Sequence, residues 1–395
     1  SATPEKVKTA VDRAIDYLKG IEGKYSGTLG VGITPGPVAK VLRVGLQTFK
    51  TVYNKTKDFA KALSAFIKKV ISGLKITDAE EKKIVSDILT EYVKVDNIDT
   101  VDLDGMINDL VEKLNINRGI AYEKVVYKNA EGIKSPIFKV KGTQTEEGGA
   151  PDIQFEIAGQ EFNIETKLET ARYGSLTAKI SSTGEIVFSK DFDFNKELEN
   201  AINKNKANLD KYKEKAKELG QDMNDFDKGI INKDIWEQLK NLDGINYLND
   251  ARSNITLSAD VISEIYAKKK PPVYYIQIKG KGLYYMGKNP LNLPIPKLEG
   301  DVEIEVGLNT SGSIKGTNNR RFGIRIKPYR LTNIKETSDF SIDTKAGIES
   351  LLNTEAVKEL AISAEAKQEA DSVLEDGKEA LKTPEIKKEL DKIKS

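Results

Sequence analysis

Two acidic residues and one lysine lie at a spacing that would bring them together if residues 148–168 form a β-hairpin. Asp152 precedes one stretch of alternating apolar and polar residues, and Glu165 and Lys167 close a second one. Such alternation is typical of half-buried β-strands. Two carboxylates beside an ammonium group suit metal-assisted cleavage of a phosphodiester, because the acids hold a hard cation and the lysine orients water or stabilises charge.

The register of this hairpin decides how closely the three side chains approach. A two-residue turn at 159–160, with glycine first, predicts that Asp152 faces Lys167 and that Glu165 lies one diagonal step away. All three then project from the polar face of the hairpin. The carboxylates of Asp152 and Glu165, with the backbone carbonyl of Thr166, are the predicted ligands of Mg²⁺ or Mn²⁺. The alternative is an exposed hairpin with incidental surface charges.

The composition excludes several other kinds of catalysis. The 395 residues include no histidine and no cysteine. Serine–histidine triads, histidine bases, cysteine nucleophiles and thiolate metal sites are therefore ruled out for this sequence. Catalysis would have to use carboxylates, Lys, Arg, Tyr, Ser or Thr, and any metal ion should be one that prefers oxygen ligands.

The hairpin motif resembles that of the PD-(D/E)XK nuclease superfamily, which has the restriction-endonuclease-like fold. The residues that carry the resemblance are Pro151, Asp152, Glu165, Thr166 and Lys167. In that family a helix just upstream often supplies another acid, and Glu123 holds the matching position here. The resemblance covers residues 116–219 and implies a Mg²⁺-dependent DNA endonuclease whose catalytic residues are Asp152, Glu165, Lys167 and Glu123. Stretches near the motif also resemble phage-encoded nuclease-like proteins, which implies a virion or host-cytoplasm setting.

Basic and aromatic residues outside the hairpin are candidate DNA contacts. Residues 265–330 contain thirteen basic and four acidic residues, a net charge of +9. Lysine and arginine bind phosphates and give salt-dependent affinity for nucleic acids. In the strand predicted over 321–327, cations alternate with apolar residues, so one side forms a row of cations that faces either DNA or solvent. The candidate contacts are Arg172, Tyr173, Lys279, Lys281, Arg320, Arg321, Arg325 and Lys327.

Charge is also uneven in two predicted helical regions. Residues 36–75 contain nine basic residues and one acid, a net charge of +8, which indicates either a solvated lysine face or a phosphate-contacting arm. Residues 331–395 contain ten lysines and fifteen acids, a net charge of −5. The two regions could pair with each other, within one chain or between protomers. Restriction-type cleavage of both DNA strands would favour a homodimer.

The order of periodicities predicts a mixed α/β (α+β) protein with a restriction-endonuclease-like sheet flanked by helices. Helical spacing dominates before residue 142, over 193–270 and after 344, and strand-like alternation fills the segments between them. No long apolar segment is present, so we expect no membrane association and a cytoplasmic location. The predicted regions are a helical 1–115, a nuclease-like core 116–270, a basic β region 271–340 and an acidic helical tail 341–395.

Two functional classes remain open at this point. The first is a metal-dependent nuclease. The second is a non-catalytic nucleic-acid-binding or virion-structural protein, in which the same charges contact DNA or a protein partner. Metal binding separates the two, because two carboxylates on one face repel each other and should gain stability from a divalent cation.

Overall fold

The structure is a computed structural model that describes residues 2–24, 33–143, 151–169, 173–174, 176–180, 185–188, 192–204, 206–239 and 252–394. Its helices and two β-sheets confirm the mixed α/β class. The chain forms two compact units, and each is assembled from three separate stretches. Unit 1 comprises residues 1–122, 167–261 and 300–333, and unit 2 comprises residues 123–166, 262–299 and 334–395. The division therefore differs from the four contiguous regions expected from the sequence.

The α-helices of the described residues are numbered in chain order. They are α1 (Pro4–Lys24), α2 (Pro35–Thr56), α3 (Phe59–Gly73), α4 (Ala79–Tyr92), α5 (Leu103–Glu131), α6 (Asn195–Lys204), α7 (Lys206–Glu218), α8 (Met223–Asp227), α9 (Lys233–Leu239), α10 (Asp260–Ala267), α11 (Lys345–Leu352), α12 (Glu355–Leu381) and α13 (Pro384–Lys394).

The strands form a five-stranded sheet in unit 2, with the order β1-β2-β3-β8-β9, and a six-stranded sheet in unit 1, with the order β5-β4-β11-β10-β7 and β6 also paired to β11. Their bounds are β1 (Phe138–Thr143), β2 (Ile153–Ile157), β3 (Gln160–Lys167), β4 (Leu176–Ile180), β5 (Ile186–Phe188), β6 (Ile230–Asn232), β7 (Arg252–Ser258), β8 (Tyr275–Ile278), β9 (Gly282–Tyr285), β10 (Asp301–Ser313) and β11 (Asn319–Thr332).

The helices at the start of unit 1 follow from local sequence signals. α3 and α4 begin after Asp58 and Asp78, whose carboxylates accept hydrogen bonds from backbone N–H groups in the first turn. α2 and α3 pack closely at Gly45, where an added Cβ would lie only 2.8 Å from the Phe66 ring. Apolar side chains at helical spacing, such as Leu42 of α2, are fully buried between these helices.

The six-stranded sheet of unit 1 is built around β11. This strand pairs along its length with β10, and its other edge pairs with β4 and β6. Phe322 on its buried face contacts the rings of Phe226 and Trp236. β7, over residues 252–258, pairs with β10, so the prediction of helix across all of 193–270 is wrong there. The Arg-Ser-Asn-Ile-Thr-Leu-Ser sequence of β7 alternates with a period of two, which favours a strand once a partner is present.

The five-stranded sheet of unit 2 contains the predicted hairpin. A row of rings crosses the sheet from β1 to β8, with centroids 5.0 to 6.2 Å apart, formed by Phe138, Phe155, Phe162 and Tyr275. The hairpin strands are joined by β8 and β9, which the sequence had placed in a separate basic β region. β4 and β5, expected in the same core as the hairpin, belong to the other sheet.

The C-terminal helices carry much exposed surface. α12 and α13 lie largely in solvent beyond Val357, which is buried, and their exposed apolar residues include Ile362, Val373 and Ile393. The expectation of a helical tail over these residues is confirmed. Within the described residues, every helix is too short or too polar to cross a lipid bilayer.

Candidate functional site

The hairpin of β2 and β3 forms with a turn one residue earlier than expected. Ile157 pairs with Gln160 and Ile153 pairs with Ile164, so residues 158–159 make the turn. Both turn residues have positive φ, 50° for Ala158 and 79° for Gly159. Two successive positive φ values are the signature of a type I′ turn, which favours glycine at its second position rather than its first. The predicted turn is therefore one residue too late. The predicted partner of each β2 residue is two residues too far along β3.

The shift of two residues keeps every side chain on its predicted face, because side chains alternate with a period of two. Continued by one pair, the observed register places Asp152 opposite Glu165 and no longer opposite Lys167. The Thr166 N–H donates a hydrogen bond of 2.9 Å to Oδ2 of Asp152, and the Thr166 hydroxyl lies 3.3 Å from the same oxygen. These contacts fix the Asp152 carboxylate against the end of β3, beside the acid-x-lysine motif.

β3 is buried on both faces over most of its length. Asn163 is 7% exposed and Glu165 is 2% exposed, although both were expected on a polar, half-solvated face. β3 is the middle strand of a five-stranded sheet, so other parts of the protein can pack against both of its faces. An exposed hairpin with incidental charges therefore does not describe Glu165, since an ionised carboxylate is costly to bury without a partner.

The buried Glu165 carboxylate has a cationic partner that the sequence did not reveal. The Lys269 ammonium lies 2.6 Å from Oε2 of Glu165, and the two side chains are 18% and 3% exposed. The same Nζ lies 4.9 Å from the centre of the Tyr266 ring. Lys269 follows α10 and is 104 residues from Glu165 along the chain, so no local pattern could have paired them.

The remaining predicted catalytic residues lie on the expected elements. Lys167 ends β3 two residues after Glu165, on the same side of the strand, and is half-buried. Glu123 lies on α5, the helix that precedes the sheet, and is also half-buried. In the described part of the chain, no three acidic side chains gather in a group that could hold a metal ion. Glu123 therefore does not complete a three-carboxylate set with Asp152 and Glu165.

The candidate DNA contacts fall on both units. In unit 2, Lys279 is exposed and Lys281 is half-buried, in the tight turn between β8 and β9. In unit 1, Tyr173 is buried, and its backbone N–H donates to the carbonyl of Pro328, so its side chain does not face solvent. Arg172 lies outside the described residues. Of the three residues that the structure describes here, Lys279 is the most exposed.

The row of cations on β11 is only partly exposed. Arg321 is exposed, Arg320 and Arg325 are half-buried, and Lys327 is 9% exposed. The expectation of an open cationic row is thus wrong at Lys327. Lys327 stands opposite Glu305 of β10 in the strand pairing. Arg321, next to the half-buried Arg320, is therefore the most exposed cation of this strand.

The next cation of β11 is also matched by an acid on β10. Arg330 pairs through two nitrogens with the carboxylate of Glu303, with Nε 2.9 Å from Oε2. Cross-strand pairing of opposite charges is a common way of stabilising a sheet surface. Two of the thirteen basic residues of 265–330, Lys327 and Arg330, therefore lie opposite acids within the sheet, and the net charge of +9 already counts those acids.

The basic helices over 36–75 are likewise partly neutralised. Arg43 bonds to Glu22 and Lys50 bonds to Asp12, so α1 supplies the acids. The hydrogen bond from the Arg43 guanidinium lowers the pKa of the Glu22 carboxyl, and Glu22 in turn raises the pKa of Arg43. The other seven basic residues are exposed: Lys40, Lys55, Lys57, Lys61, Lys68, Lys69 and Lys75. The region keeps a cationic face, which fits both a solvated lysine face and a phosphate-contacting arm.

No family model, curated protein or solved structure matches the chain.

Proposed function

We propose that the protein is a metal-dependent DNA nuclease that hydrolyses phosphodiester bonds, with Asp152, Glu165 and Lys167 at its centre. The observation that carries this proposal is the hydrogen bond from the Thr166 N–H to the Asp152 carboxylate. It joins the acid before β2 to the acid-x-lysine strand. The upstream position of α5, with Glu123, also agrees with the arrangement implied by the PD-(D/E)XK resemblance.

The donor atoms suit Mg²⁺ or Mn²⁺. The carboxylates of Asp152 and Glu165 and the backbone carbonyl of Thr166 would hold the ion, because such cations prefer oxygen ligands. A divalent cation bound there would supply Lewis-acid activation of the phosphodiester and of a water molecule.

The protein side chains have complementary roles in this proposal. Lys167, on the same side of β3 as Glu165, would donate a hydrogen bond to the attacking water or to a phosphate oxygen as negative charge develops. Glu123 on α5 forms no three-acid group with Asp152 and Glu165, so it has no role at the metal in this proposal. Lys279 in unit 2, and Arg320 and Arg321 in unit 1, would bind the DNA backbone.

A second candidate function is nucleic-acid binding without catalysis, including a structural role in a virion. Two observations favour it. Lys269 neutralises the buried Glu165, and the described residues contain no group of three acids that could hold a metal ion. In this case the Asp152 and Glu165 contacts would stabilise the sheet, and the exposed cations alone would meet DNA.

Incubation with supercoiled plasmid and with linear single-stranded DNA, in Mg²⁺, Mn²⁺ or EDTA, tests the proposal. D152N is the informative variant, because asparagine keeps an oxygen that can accept from Thr166 but removes the charge. E161Q is the matched control, since Glu161 is an exposed acid of the same hairpin. Metal-dependent cleavage that D152N loses and E161Q keeps would support the nuclease; intact DNA with a salt-sensitive gel shift would favour the binding protein.

A further inference from the structure

Three consecutive lysines follow α10, and they differ in their surroundings. Lys268 and Lys270 are exposed, whereas Lys269 is half-buried with its ammonium 2.6 Å from Glu165 and 4.9 Å from the centre of the Tyr266 ring. The Glu165 side chain is almost fully enclosed. The middle lysine is thus the cation that compensates a buried acid, and its two neighbours provide built-in controls.

We propose that the Lys269 ammonium is a resident cation bound to the Glu165 carboxylate. A divalent metal ion must displace this ammonium before the site becomes active. This inference rests on the proposed function, because it assigns Glu165 as a metal ligand. An ammonium and a divalent cation at hydrogen-bonding distance from one carboxylate repel each other strongly in a site shielded from water. Lys269 therefore competes with the metal.

Lys269 is thus a positioning residue in this scheme and not a catalytic one. In the metal-free protein it keeps the Glu165 carboxylate fixed and its charge compensated. When metal enters, the flexible four-carbon side chain can withdraw, since lysine has no planar fork that would hold it in place. Its release would leave a free ammonium close to the bound phosphate. The exchange couples metal occupancy to the position of one lysine.

The first test follows the reactivity of the lysines in the wild-type protein. Acetylation by sulfo-N-hydroxysuccinimide acetate, read by peptide mass spectrometry, should be several-fold slower at Lys269 than at Lys268 and Lys270 without metal. Saturating Mg²⁺ or Mn²⁺ should raise the rate at Lys269 towards that of its neighbours and leave theirs unchanged. D152N, which removes one metal-binding charge, should abolish the metal effect.

Calorimetric titration with Mn²⁺ at constant pH provides the second test. K269Q should bind Mn²⁺ about tenfold more tightly than the wild type, because a competing positive charge has been removed. K270Q, at the neighbouring exposed lysine, should bind it with unchanged affinity. If K269Q does not fold, the acetylation rates of the wild-type protein decide.

The outcomes separate this inference from the proposed function. Mn²⁺ binding with no change in Lys269 reactivity, or with equal or weaker affinity in folded K269Q, would overturn the exchange and leave the metal site standing. An absence of Mn²⁺ or Mg²⁺ binding to the wild type would overturn both. Metal binding with exposure of Lys269 supports the exchange, whether or not DNA is cleaved.

Discussion

β3 of unit 2 and β11 of unit 1 are both central strands on which charged and apolar residues alternate, yet their charges are balanced in different ways. On β11, Lys327 and Arg330 stand opposite Glu305 and Glu303 on the adjacent strand. On β3, Glu165 is buried and its cation comes from beyond α10. The partly exposed Arg330–Glu303 pair can lose one partner at little cost, whereas the buried Glu165 with its distant partner cannot.

The largest effect is expected from K269M, which keeps much of the side-chain volume but leaves the Glu165 carboxylate buried without its cation. Breaking one side of a buried pair typically costs about 3–5 kcal/mol of unfolding free energy. Urea denaturation followed by circular dichroism measures this loss. K270M, at an exposed lysine, should change stability by less than about 0.5 kcal/mol. Equal stability of the two variants would contradict the assignment of a buried ion pair.

A smaller effect is expected on DNA affinity when the accessible end of β11 is neutralised. The double variant R320A/R321A should weaken binding to DNA of any sequence and reduce the slope of log affinity against log salt by about 2, because each phosphate contact contributes about 1. Gel shifts across a salt series measure this. R330A is the matched control, because Arg330 is already paired with Glu303. A similar loss of DNA affinity in R330A would show that this ion pair does not keep Arg330 from contacting DNA.

The Glu303–Arg330 pair itself should contribute little to stability. Both side chains are partly exposed, so R330M is expected to cost about 1 kcal/mol or less of unfolding free energy. Thermal or urea unfolding gives the value. A loss of unfolding free energy as large as that expected for K269M would contradict the proposed difference between the charge pairs of β11 and β3.

The smallest effect concerns the α1–α2 pair of Glu22 and Arg43, and it depends on pH. The pKa of Glu22 is lowered in the folded protein by Arg43, so the pair stabilises the fold above the ordinary carboxyl pKa, and this stability is lost as pH falls through the lowered value. E22Q should therefore be slightly less stable than the wild type at pH 7, by less than about 1 kcal/mol. The two should converge in acid, and a difference that grows on acidification would contradict the sign.

Local pattern predicts most of the elements, with β7 as an exception, but it does not predict which elements pair. Alternation in residues 148–168 predicted the strands of the hairpin, and helical spacing predicted α1 to α4 and the tail. The turn was misplaced because Gly159 suits the first position of one turn type and the second position of another. The burial of Glu165 and its pairing with Lys269 depend on contacts between residues 104 apart, which no local periodicity encodes.

Local sequence patterns also do not show which strands belong to the same sheet. β4 and β5 follow the hairpin directly in sequence but pair with β11 and with each other, whereas β8, more than a hundred residues later, joins β3. Neighbouring strands in sequence are usually neighbours in space, which is why contiguous regions were expected. The chain passes through each unit three times, which breaks that rule.

This interleaving imposes an order on folding during synthesis. β11 (319–332) is the last strand made of the six-stranded sheet, yet it lies at the sheet's centre, between β10 and the pair of β4 and β6. At roughly 5–20 residues per second, a ribosome needs roughly 7–28 s to pass from β4 to β11. Until then β4, β6 and β10 present open edges that can pair with other chains. Nascent chains that end before residue 319 should therefore depend on chaperones to stay out of aggregates.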